Sequence, residues 1–392
     1  MRFAFDLDHV LANAQQAAGL DDFGDLPFVE ALEELLRCAK EDLEFSNNGR
    51  LAFESNLQRW LVNRLRYVND VKINPAILNE DVSDPIVVIG MPRSGTTKMQ
   101  RLLSSLPGTI SLPLWMTQNP APFPGEEPGK PVQRIEYARA IQSAQAEHNP
   151  DFLASHERKA DEAEEDSDLL LFAFDYLMMY IIHPSERFLT WLRSRPRLPA
   201  YEFQKRLLQY LQWQQGGKRG RRWILKNPGH IGQMDALTQV YPKATLVHLH
   251  RDLREVLPSY CRLIQSIYQE LFVSVDPRRI GRETLAYWGP EFRRQRQQRQ
   301  TFAEQLNILD VSYQAAVGDS LAVVERLFEA ACMPLDEQVM VAIRNWEEGN
   351  KQHKHGRPSY SMAQYGLDQQ DIMDVFGTFD DGFADNLRSG YA

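Results

Sequence analysis

The most constraining feature of the chain is a short apolar segment that leads directly into a glycine-bounded loop. Residues 86–89 read Ile-Val-Val-Ile, a pattern typical of a strand that is covered on both faces. Residues 90–97 then read Gly-Met-Pro-Arg-Ser-Gly-Thr-Thr, and the two glycines allow the backbone to turn and to approach a ligand closely. A helix that begins at the end of this loop would point its free amides at an anion. The segment therefore predicts a cradle for a phosphate group.

The positively charged residue of this loop lies at a different position from the lysine of a nucleotide P-loop. The spacing from Gly90 to Gly95 is that of a nucleotide P-loop, but Thr96 occupies the position where a nucleoside triphosphatase carries lysine. The cation lies inside the loop instead, as Arg93, while Thr96 and Thr97 add hydroxyl donors. We interpret the loop as a site for an anionic donor other than ATP with magnesium.

The overall charge limits the classes of partner. The chain has 392 residues, a formal net charge of −9 and a sequence pI near 5.6. A general nucleic-acid-binding protein is excluded on this ground, because such proteins carry extended basic surfaces. A site for an anionic ligand must therefore be a local basic pocket in an acidic protein.

Cysteine usage and hydropathy indicate a protein of a reducing compartment. The three cysteines, Cys38, Cys261 and Cys332, are too scattered for a disulfide framework or a zinc site. The N-terminus shows no signal-peptide pattern. The longest apolar run, residues 169–182, is shorter than the roughly 20 residues that span a bilayer and contains Asp175. We expect a buried helix there, no transmembrane segment and a cytoplasmic location.

Strand and helix patterns alternate from residue 85 onward. Further strands are predicted at residues 223–226 and 244–249, each followed by a helical pattern. The expected fold class is α/β, with a P-loop NTPase-like central parallel sheet flanked by helices, a helical N-terminal extension and a helical insertion. We predict the extension at residues 1–80 and the main domain at 81–392, of which 110–220 form an insertion that shapes a substrate pocket. Helices are expected at 132–145, 164–182 and 201–215, and again over 280–350.

A second group of polar residues follows the predicted strand at 244–249. Arg251 stands at the strand end, and Asp252 can cap a helix whose apolar stripe is regular. Ser259 lies eight residues after Arg251. On a straight helix the two side chains would not reach the same group, whereas a curved or broken helix start would allow it.

Together, the two segments resemble the sulfotransferases that use 3′-phosphoadenosine 5′-phosphosulfate (PAPS). In that family a loop of the form Pro-[Arg/Lys]-Ser-Gly-Thr-Thr, here residues 92–97, holds the 5′-phosphosulfate, and an arginine with a serine eight residues later holds the 3′-phosphate. Residues 223–230 are similar to the lysine-proline strand end between these motifs, and residues 18–25 and 360–367 resemble a bacterial-type branch. The resemblance implies sulfuryl transfer from PAPS, without a required metal, to a hydroxyl of a small-molecule, lipid or glycan acceptor.

The resemblance also assigns roles to residues of the donor site. The backbone amides of the loop would hold the 5′-phosphate, Arg93 would offset charge at the bridging oxygen, and Lys226 is a candidate second cation. Lys226 could equally be a solvent-exposed lysine at a strand end, and the basic loop near residue 355 could equally be a solvated surface. The donor-binding residues implied are Arg93, Ser94, Gly95, Thr96, Thr97, Arg251, Ser259, Lys354 and Arg357.

The base that accepts the proton of the acceptor hydroxyl is less strongly indicated. Many relatives in this branch carry a glutamate after a Leu-Trp pair, but here Met116 stands in that position. His156 is the first candidate, with Glu165 from the acidic run at 161–166 as the group that orients it. That run could instead only satisfy a helix dipole. His230 is the alternative base, whereas His248 and His250 are interpreted as structural.

Two other functions stay open. A P-loop kinase would require magnesium and a lysine before Thr97, and a non-catalytic protein of the same fold would bind the nucleotide without turnover. The aromatic residues of the insertion suggest a hydrophobic alcohol, lipid or natural-product acceptor, with membership of the core as the alternative: Trp115, Phe152, Phe172, Phe174, Tyr176 and Tyr180.

Overall fold

The computed structural model describes residues 5–148, 158–350 and 361–377, and within these residues the chain divides into two compact units. The first unit takes its residues from segments 1–82, 112–220 and 266–275. The second takes them from 83–111, 221–265 and 276–392. The expected N-terminal extension and most of the expected insertion therefore contribute to the same compact unit.

The second unit is built on a parallel sheet, as the sequence predicts. Its described strands are β1 (Ile86–Ile89), β2 (Thr109–Ile110), β3 (Arg222–Lys226), β4 (Thr245–His250) and β5 (Asn307–Ser312). Among the described residues they form one five-stranded sheet in the order β2-β3-β1-β4-β5. Val88 of β1 lies opposite Lys226 of β3 and Val247 of β4. The central strand is thus the one that leads into the glycine-bounded loop.

Burial on both faces of β1 explains its continuous apolar sequence. All four of its side chains are buried, and successive side chains of a strand point to opposite faces. On one face, Ile86 and Val88 pack in a cluster with Leu102 and Leu103 of the following helix and with Val324. The sheet is therefore covered on both faces where β1 runs, as in other parallel sheets.

The described helices of the second unit connect and cover these strands. None of the helices within the described part of the chain combines the length and the apolar character that crossing a bilayer requires. The helices are Thr96–Ser104, Met234–Val240, Leu253–Leu271 (of which residues 266–271 belong to the first unit), Pro277–Thr301, Tyr313–Gly318, Ser320–Ala330, Glu337–Gly349 and Gln369–Phe376, with 3₁₀ turns at Pro228–His230 and Met362–Tyr365.

The first unit is helical throughout its described secondary structure apart from isolated bridges. In its core, the buried guanidinium of Arg64 lies between the rings of Phe28 and Phe203, at 4.1 and 4.5 Å from their centroids. The helices and 3₁₀ turns are Leu7–Ala18, Val29–Asp42, Asn47–Ile73, Pro75–Asn79, Leu114–Gln118, Val132–His148, Ser167–Leu170, Leu171–Ala173, Met179–Ile182, Glu186–Ser194 and Leu198–Gln214. The predictions of helices at 132–145 and 201–215 are confirmed.

The prediction of a single helix at 164–182 is wrong. Short helical segments replace it, because the backbone at Phe174 is left-handed, with φ of 63°. This conformation places the Phe174 ring edge-on against Trp60, with 5.8 Å between the centroids. Packing of one aromatic side chain therefore prevails over continuation of the helix. Asp175 follows in a buried position, and burial raises the pKa of its carboxyl to about 7.

A strand also interrupts the segment that was expected to be helical over 280–350. This strand, β5, pairs in parallel with β4 along its whole length, from Asn307 opposite Thr245 to Ser312 opposite His250. It lies at the edge of the sheet, and most of its side chains are only partly buried. An edge strand of this kind carries a weaker apolar signal than a central strand, which is why the pattern did not predict it.

Candidate functional site

The loop between β1 and the helix Thr96–Ser104 is closely packed around its two glycines. Gly90 has φ of 144°, and a Cβ atom there would lie 2.6 Å from the carbonyl oxygen of Leu249. Gly95 has φ of 92°, and its Cβ would lie 3.1 Å from the Tyr313 ring. Only glycine fits these backbone conformations and spaces without strain. The sheet and its neighbouring strands therefore determine the course of the loop.

Ser94 holds the turn inside the loop. Its hydroxyl donates to the carbonyl of Met91 at 2.7 Å, and its N–H donates to the same carbonyl at 3.2 Å. The side chain is buried, with 1% of its surface exposed. Ser94 therefore holds the loop in place with its hydroxyl and its N–H, although the resemblance implied that Ser94 binds the donor. The amides of Thr96 and Thr97 in the first turn have no acceptor within the helix, and no side chain caps this N-terminus.

Arg93 adopts a backbone conformation that is rare for its residue type. Its φ of 73° is left-handed, which costs about 1–3 kcal/mol in a residue with a side chain. The guanidinium Nε donates to the hydroxyl of Ser259 at 3.1 Å. The strained backbone thus directs this side chain from the loop to the helix Leu253–Leu271.

Arg251 reaches the same loop from the end of β4. Its Nη1 donates to the carbonyl oxygen of Arg93 at 2.9 Å. Glu255 accepts hydrogen bonds from its Nε and Nη2 at 3.0 and 2.8 Å, and its guanidinium carbon lies 4.2 Å from the Tyr313 ring centroid. Three residues therefore hold the plane of this guanidinium, which lies beside the loop.

These contacts explain how Arg251 and Ser259, which stand eight residues apart, can belong to one site. Arg251 precedes the helix Leu253–Leu271, whereas Ser259 lies inside it, directly after Pro258. The two residues bind different parts of Arg93, its carbonyl and its side chain. The structure therefore brings the two sequence motifs together through Arg93.

Lys98 does not act as the lysine of a nucleoside triphosphatase loop. Its ammonium donates to the carbonyl oxygens of Ala316 and Val317 at 3.2 and 3.3 Å. Both carbonyls belong to the last turn of the helix Tyr313–Gly318, whose negative end attracts a cation. This lysine connects two helices, so the positive charge of the loop itself comes from Arg93.

Lys226 and His230 follow β3, the strand next to β1. Lys226 is only 1% exposed, so the alternative of a solvent-exposed lysine does not hold. The N–H of Asn227 donates to the carbonyl of Val88 at 3.3 Å, and its side chain accepts from Gly229 at 2.8 Å. His230 is also buried, at 1% exposure, in the 3₁₀ turn Pro228–His230 that Asn227 caps. Both residues thus lie at the carboxyl end of β3, next to the carboxyl end of β1.

His248 and His250 lie in a network with Asp310 of β5. Asp310 accepts from His250 Nε2 at 2.7 Å and binds both terminal nitrogens of Arg299 at 2.9 and 2.6 Å. The two histidines and the carboxylate place possible metal ligands within 4.8 Å of one another, but Arg299 already pairs with this carboxylate. The hydrogen bonds of His250 and the burial of His248 agree with the structural role predicted for them.

Other predicted site residues lie elsewhere or outside the described residues. Glu165 belongs to the first unit and accepts from the hydroxyl of Ser167 at 3.3 Å. His156, Lys354 and Arg357 lie outside the described residues. The aromatic residues of the insertion that the structure describes are core residues, which removes them as an argument for a hydrophobic acceptor; they are Trp115, Phe172, Phe174, Tyr176 and Tyr180, while Phe152 lies outside the described residues.

Sequence reasoning missed Tyr313 and Glu255, which both support Arg251. Tyr313 follows β5 directly, and that strand was expected to be helical. Glu255 stands four residues after Arg251, and this spacing could have indicated an ion pair. A helix N-terminus, two arginines and a lysine converge at the ends of three neighbouring strands. Such an arrangement can bind a ligand with more than one anionic group.

The comparisons with known proteins agree with this geometry. A family model described as "Sulfotransferase family" matches residues 85–337. No curated protein matches the chain in sequence. Among solved structures, sulfotransferase STF1 from Mycobacterium tuberculosis H37Rv is similar, with 27% identity, a TM-score of 0.81 and coverage of 95% of this chain and 98% of that chain. Sulfotransferase STF9 from Mycobacterium avium shares the fold, with 24% identity, a TM-score of 0.80 and coverage of 99% and 97%.

Proposed function

This chain belongs to the sulfotransferase family, and we propose that it transfers a sulfuryl group from PAPS to a hydroxyl group of a small-molecule, lipid or glycan acceptor. One observation carries the assignment of the donor. Arg93 of the loop donates to Ser259 and accepts from Arg251, so the residues suited to a 5′-phosphosulfate and to a 3′-phosphate lie together. A nucleotide with phosphates at both positions carries the two anionic groups that such a pair of sites would bind.

The residues present fit such a donor. When bound, PAPS supplies a sulfuryl group that is activated by its bond to a phosphate. The first-turn amides of Thr96 and Thr97, at the positive end of a helix, suit the 5′-phosphate. Arg251 and Ser259 suit the 3′-phosphate, since a guanidinium binds phosphate with two parallel hydrogen bonds. The loop backbone is closely packed and needs little rearrangement to bind, whereas Arg251 must exchange its hydrogen bonds to Glu255 for the phosphate.

Arg93 and Lys226 have the chemistry required at the reacting group. Transfer moves negative charge onto the phosphate that departs, and fixed cations next to it lower the barrier. We assign this task to Arg93, which remains protonated throughout and therefore stabilises charge without giving up a proton. Lys226, buried at the end of β3, is assigned as the second cation, beside the sulfuryl oxygens.

The acceptor hydroxyl also requires a base, and we propose His156 with Glu165 as the group that orients it. His230 is the alternative, because it is buried in the turn that follows Lys226. Substitution of the true base should leave donor binding intact and abolish transfer. Comparison of His156→Ala with His230→Ala in a binding assay and a transfer assay therefore distinguishes the two candidates.

A non-catalytic protein of the same fold is the second candidate function. It is favoured by Met116, a buried apolar residue where relatives of this branch carry a glutamate. A kinase is disfavoured, because Lys98 binds the carbonyls of Ala316 and Val317 and the loop carries no lysine.

The experiment is incubation of the full chain with PAPS that carries radioactive sulfur, together with separate pools of phenols, aliphatic alcohols, glycolipids and oligosaccharides. The proposal predicts a labelled product in at least one pool and its loss in the Arg93→Gln variant. Donor binding without label in any pool would favour the non-catalytic protein. Absence of donor binding would refute both.

A further inference from the structure

The first unit contains a cavity of about 470 Å³, and the described residues that line it all belong to that unit. Its walls come from the end of the helix Leu7–Ala18, the last turns of the helix Asn47–Ile73, the loop at 122–128 and Trp213. The volume lies within the range of about 300–1,000 Å³ that is usual for small-molecule sites. The cavity shares no residue with the donor cradle.

The walls of this cavity are held in place by buried hydrogen bonds. Glu126 of the loop accepts from the N–H of Gln133 at 3.0 Å and pairs with the buried Arg134 at 2.7 Å. Trp213 stacks on Tyr210, with 6.4 Å between the centroids and 10° between the ring planes. The cavity is therefore formed before any ligand binds, a property that favours affinity.

Arg66 provides a positive charge in this cavity, and Tyr210 and Asp70 interact with it electrostatically. Its guanidinium lies over the Phe123 ring at 5.8 Å from the centroid, and the side chain is partly buried. Among the residues that the structure describes, Arg66 forms no hydrogen bond or ion pair, whereas the neighbouring Arg64 donates to backbone carbonyls. Partial burial lowers the pKa of the Arg66 guanidinium, which reflects the cost of removing this charge from water. An anion at this position would offset that cost.

The remaining lining residues indicate what kind of organic group would carry the anion. Phe123 and Trp213 present aromatic surfaces, and the prolines of the loop add rigid apolar surface. Asp70 also faces the cavity, where its carboxylate accepts a hydrogen bond from the hydroxyl of Tyr210. The other carboxylate of the lining, Glu126, is paired with Arg134, so Arg66 and Asp70 are the charges that a ligand meets, and they accommodate a single negative charge better than two.

We propose that this cavity is a binding site for a small organic monoanion, in which a carboxylate, sulfate or sulfonate group binds Arg66 and a flat apolar body packs on Phe123 and Trp213. The site goes beyond the transfer reaction, because neither the loop at 90–97, nor Arg251 and Ser259, nor His230 belongs to its described lining. The amides of Asn69 and Asn74 supply further donors at its edge.

The test is isothermal titration of the full chain with naphthalene-2-sulfonate and with the neutral naphthalene-2-methanol. We expect one equivalent of the sulfonate to bind, about tenfold or more tightly than the alcohol, since a charge-assisted hydrogen bond is worth this much. Arg66→Met should remove the preference and Arg66→Lys should retain it. Asp70→Asn should tighten the sulfonate, because a repelling charge is removed. Arg50→Met, an exposed arginine on the same helix, is the matched control and should bind as the wild type does.

Equal affinity for the two compounds, or an undiminished preference in Arg66→Met, would overturn the proposal. The donor cradle could also attract a sulfonate, so the titration is repeated with Arg251→Met. Unchanged binding there supports the cavity, and loss of binding places the compound in the cradle and refutes the site. If circular dichroism shows that Arg66→Met is unfolded, Asp70→Asn decides: failure to tighten the sulfonate contradicts the proposal.

Discussion

The Nε atom of Arg93 donates a hydrogen bond of 3.1 Å to the hydroxyl of Ser259, and this bond joins the loop after β1 to the helix after β4. The carbonyl of the same arginine accepts from Arg251 at 2.9 Å. Arg93 is therefore the residue through which the two halves of the proposed donor site determine each other's positions. A change in one half should be measurable in the other.

Ser259→Ala should weaken binding of adenosine 3′,5′-bisphosphate by about tenfold to a hundredfold, because a hydrogen bond to a charged group is lost. The value of kcat should also fall, since Ser259 orients Arg93. Titration calorimetry and steady-state kinetics with varied PAPS measure the two effects. Ser105→Ala, which removes a hydroxyl bonded to the Leu102 carbonyl, is the control. A rise in KM with kcat unchanged would contradict the coupling to Arg93.

Arg93→Gln should lower kcat by about 10²–10³ while the protein stays folded, because a fixed charge next to the reacting group is removed. Arg93→Lys should retain part of the activity, since it keeps the charge but not the planar group that binds Ser259. Single-turnover measurements with saturating PAPS isolate this step. Arg50→Gln, at an exposed position, should be unchanged. Activity of Arg93→Gln equal to that of the wild type would remove Arg93 from the reaction.

Gly90→Ala should destabilise the protein by more than about 2 kcal/mol. The added Cβ would lie 2.6 Å from the Leu249 carbonyl at a φ of 144°. Gly318→Ala, where nothing lies within 4 Å of the new Cβ, should change the free energy of unfolding by less than about 0.5 kcal/mol. Urea denaturation measures both variants. Equal stability of the two would show that the loop is not packed as described.

Asp175→Asn should stabilise the protein at pH 8 and have little effect near pH 4. Burial raises the pKa of Asp175 to about 7 in the folded state, above the value near 4 of an unfolded chain. The stabilising effect of its bound proton is complete below about pH 4 and is lost as the pH rises to 7. The gain at pH 8 should be on the order of 1–4 kcal/mol.

Stability curves of wild type and variant over pH 4–8 test this expectation for Asp175. His183 acts in the opposite sense, because burial lowers the pKa of its ring to about 3. Its contribution to the stability of the folded protein therefore declines as the pH falls below the pKa of a free histidine. The difference between the two curves removes the His183 contribution, which both proteins share. A constant difference across the range would mean that Asp175 is ionised in the folded protein.

The sequence predicts those parts of the fold in which a single requirement, burial or backbone geometry, determines the type of residue. The strands at 86–89, 222–226 and 245–250 lie inside the sheet, and their buried positions are mostly apolar. The glycines of the loop follow from backbone geometry that other residues avoid. In both cases the local pattern and the tertiary structure agree.

The unpredicted parts depend on contacts between distant residues. The edge position of β5 left it with a mixed pattern, and Tyr313 after it could not be connected to Arg251 without the sheet order. Packing of Phe174 on Trp60 ended a helix that its own segment favours. The burial of Lys226 likewise depends on its place next to β1 rather than on its neighbours in the chain.

Thermal unfolding with adenosine 3′,5′-bisphosphate and with ADP, each with and without magnesium, tests the proposed donor most directly. The proposed donor site predicts stabilisation by the bisphosphate that does not depend on magnesium, of about 2.7 kcal/mol at 100 times its Kd. It also predicts that Arg251→Met removes this effect. Stabilisation by ADP with magnesium alone, or by neither nucleotide, would contradict the assignment of Arg251 and Ser259 to a 3′-phosphate.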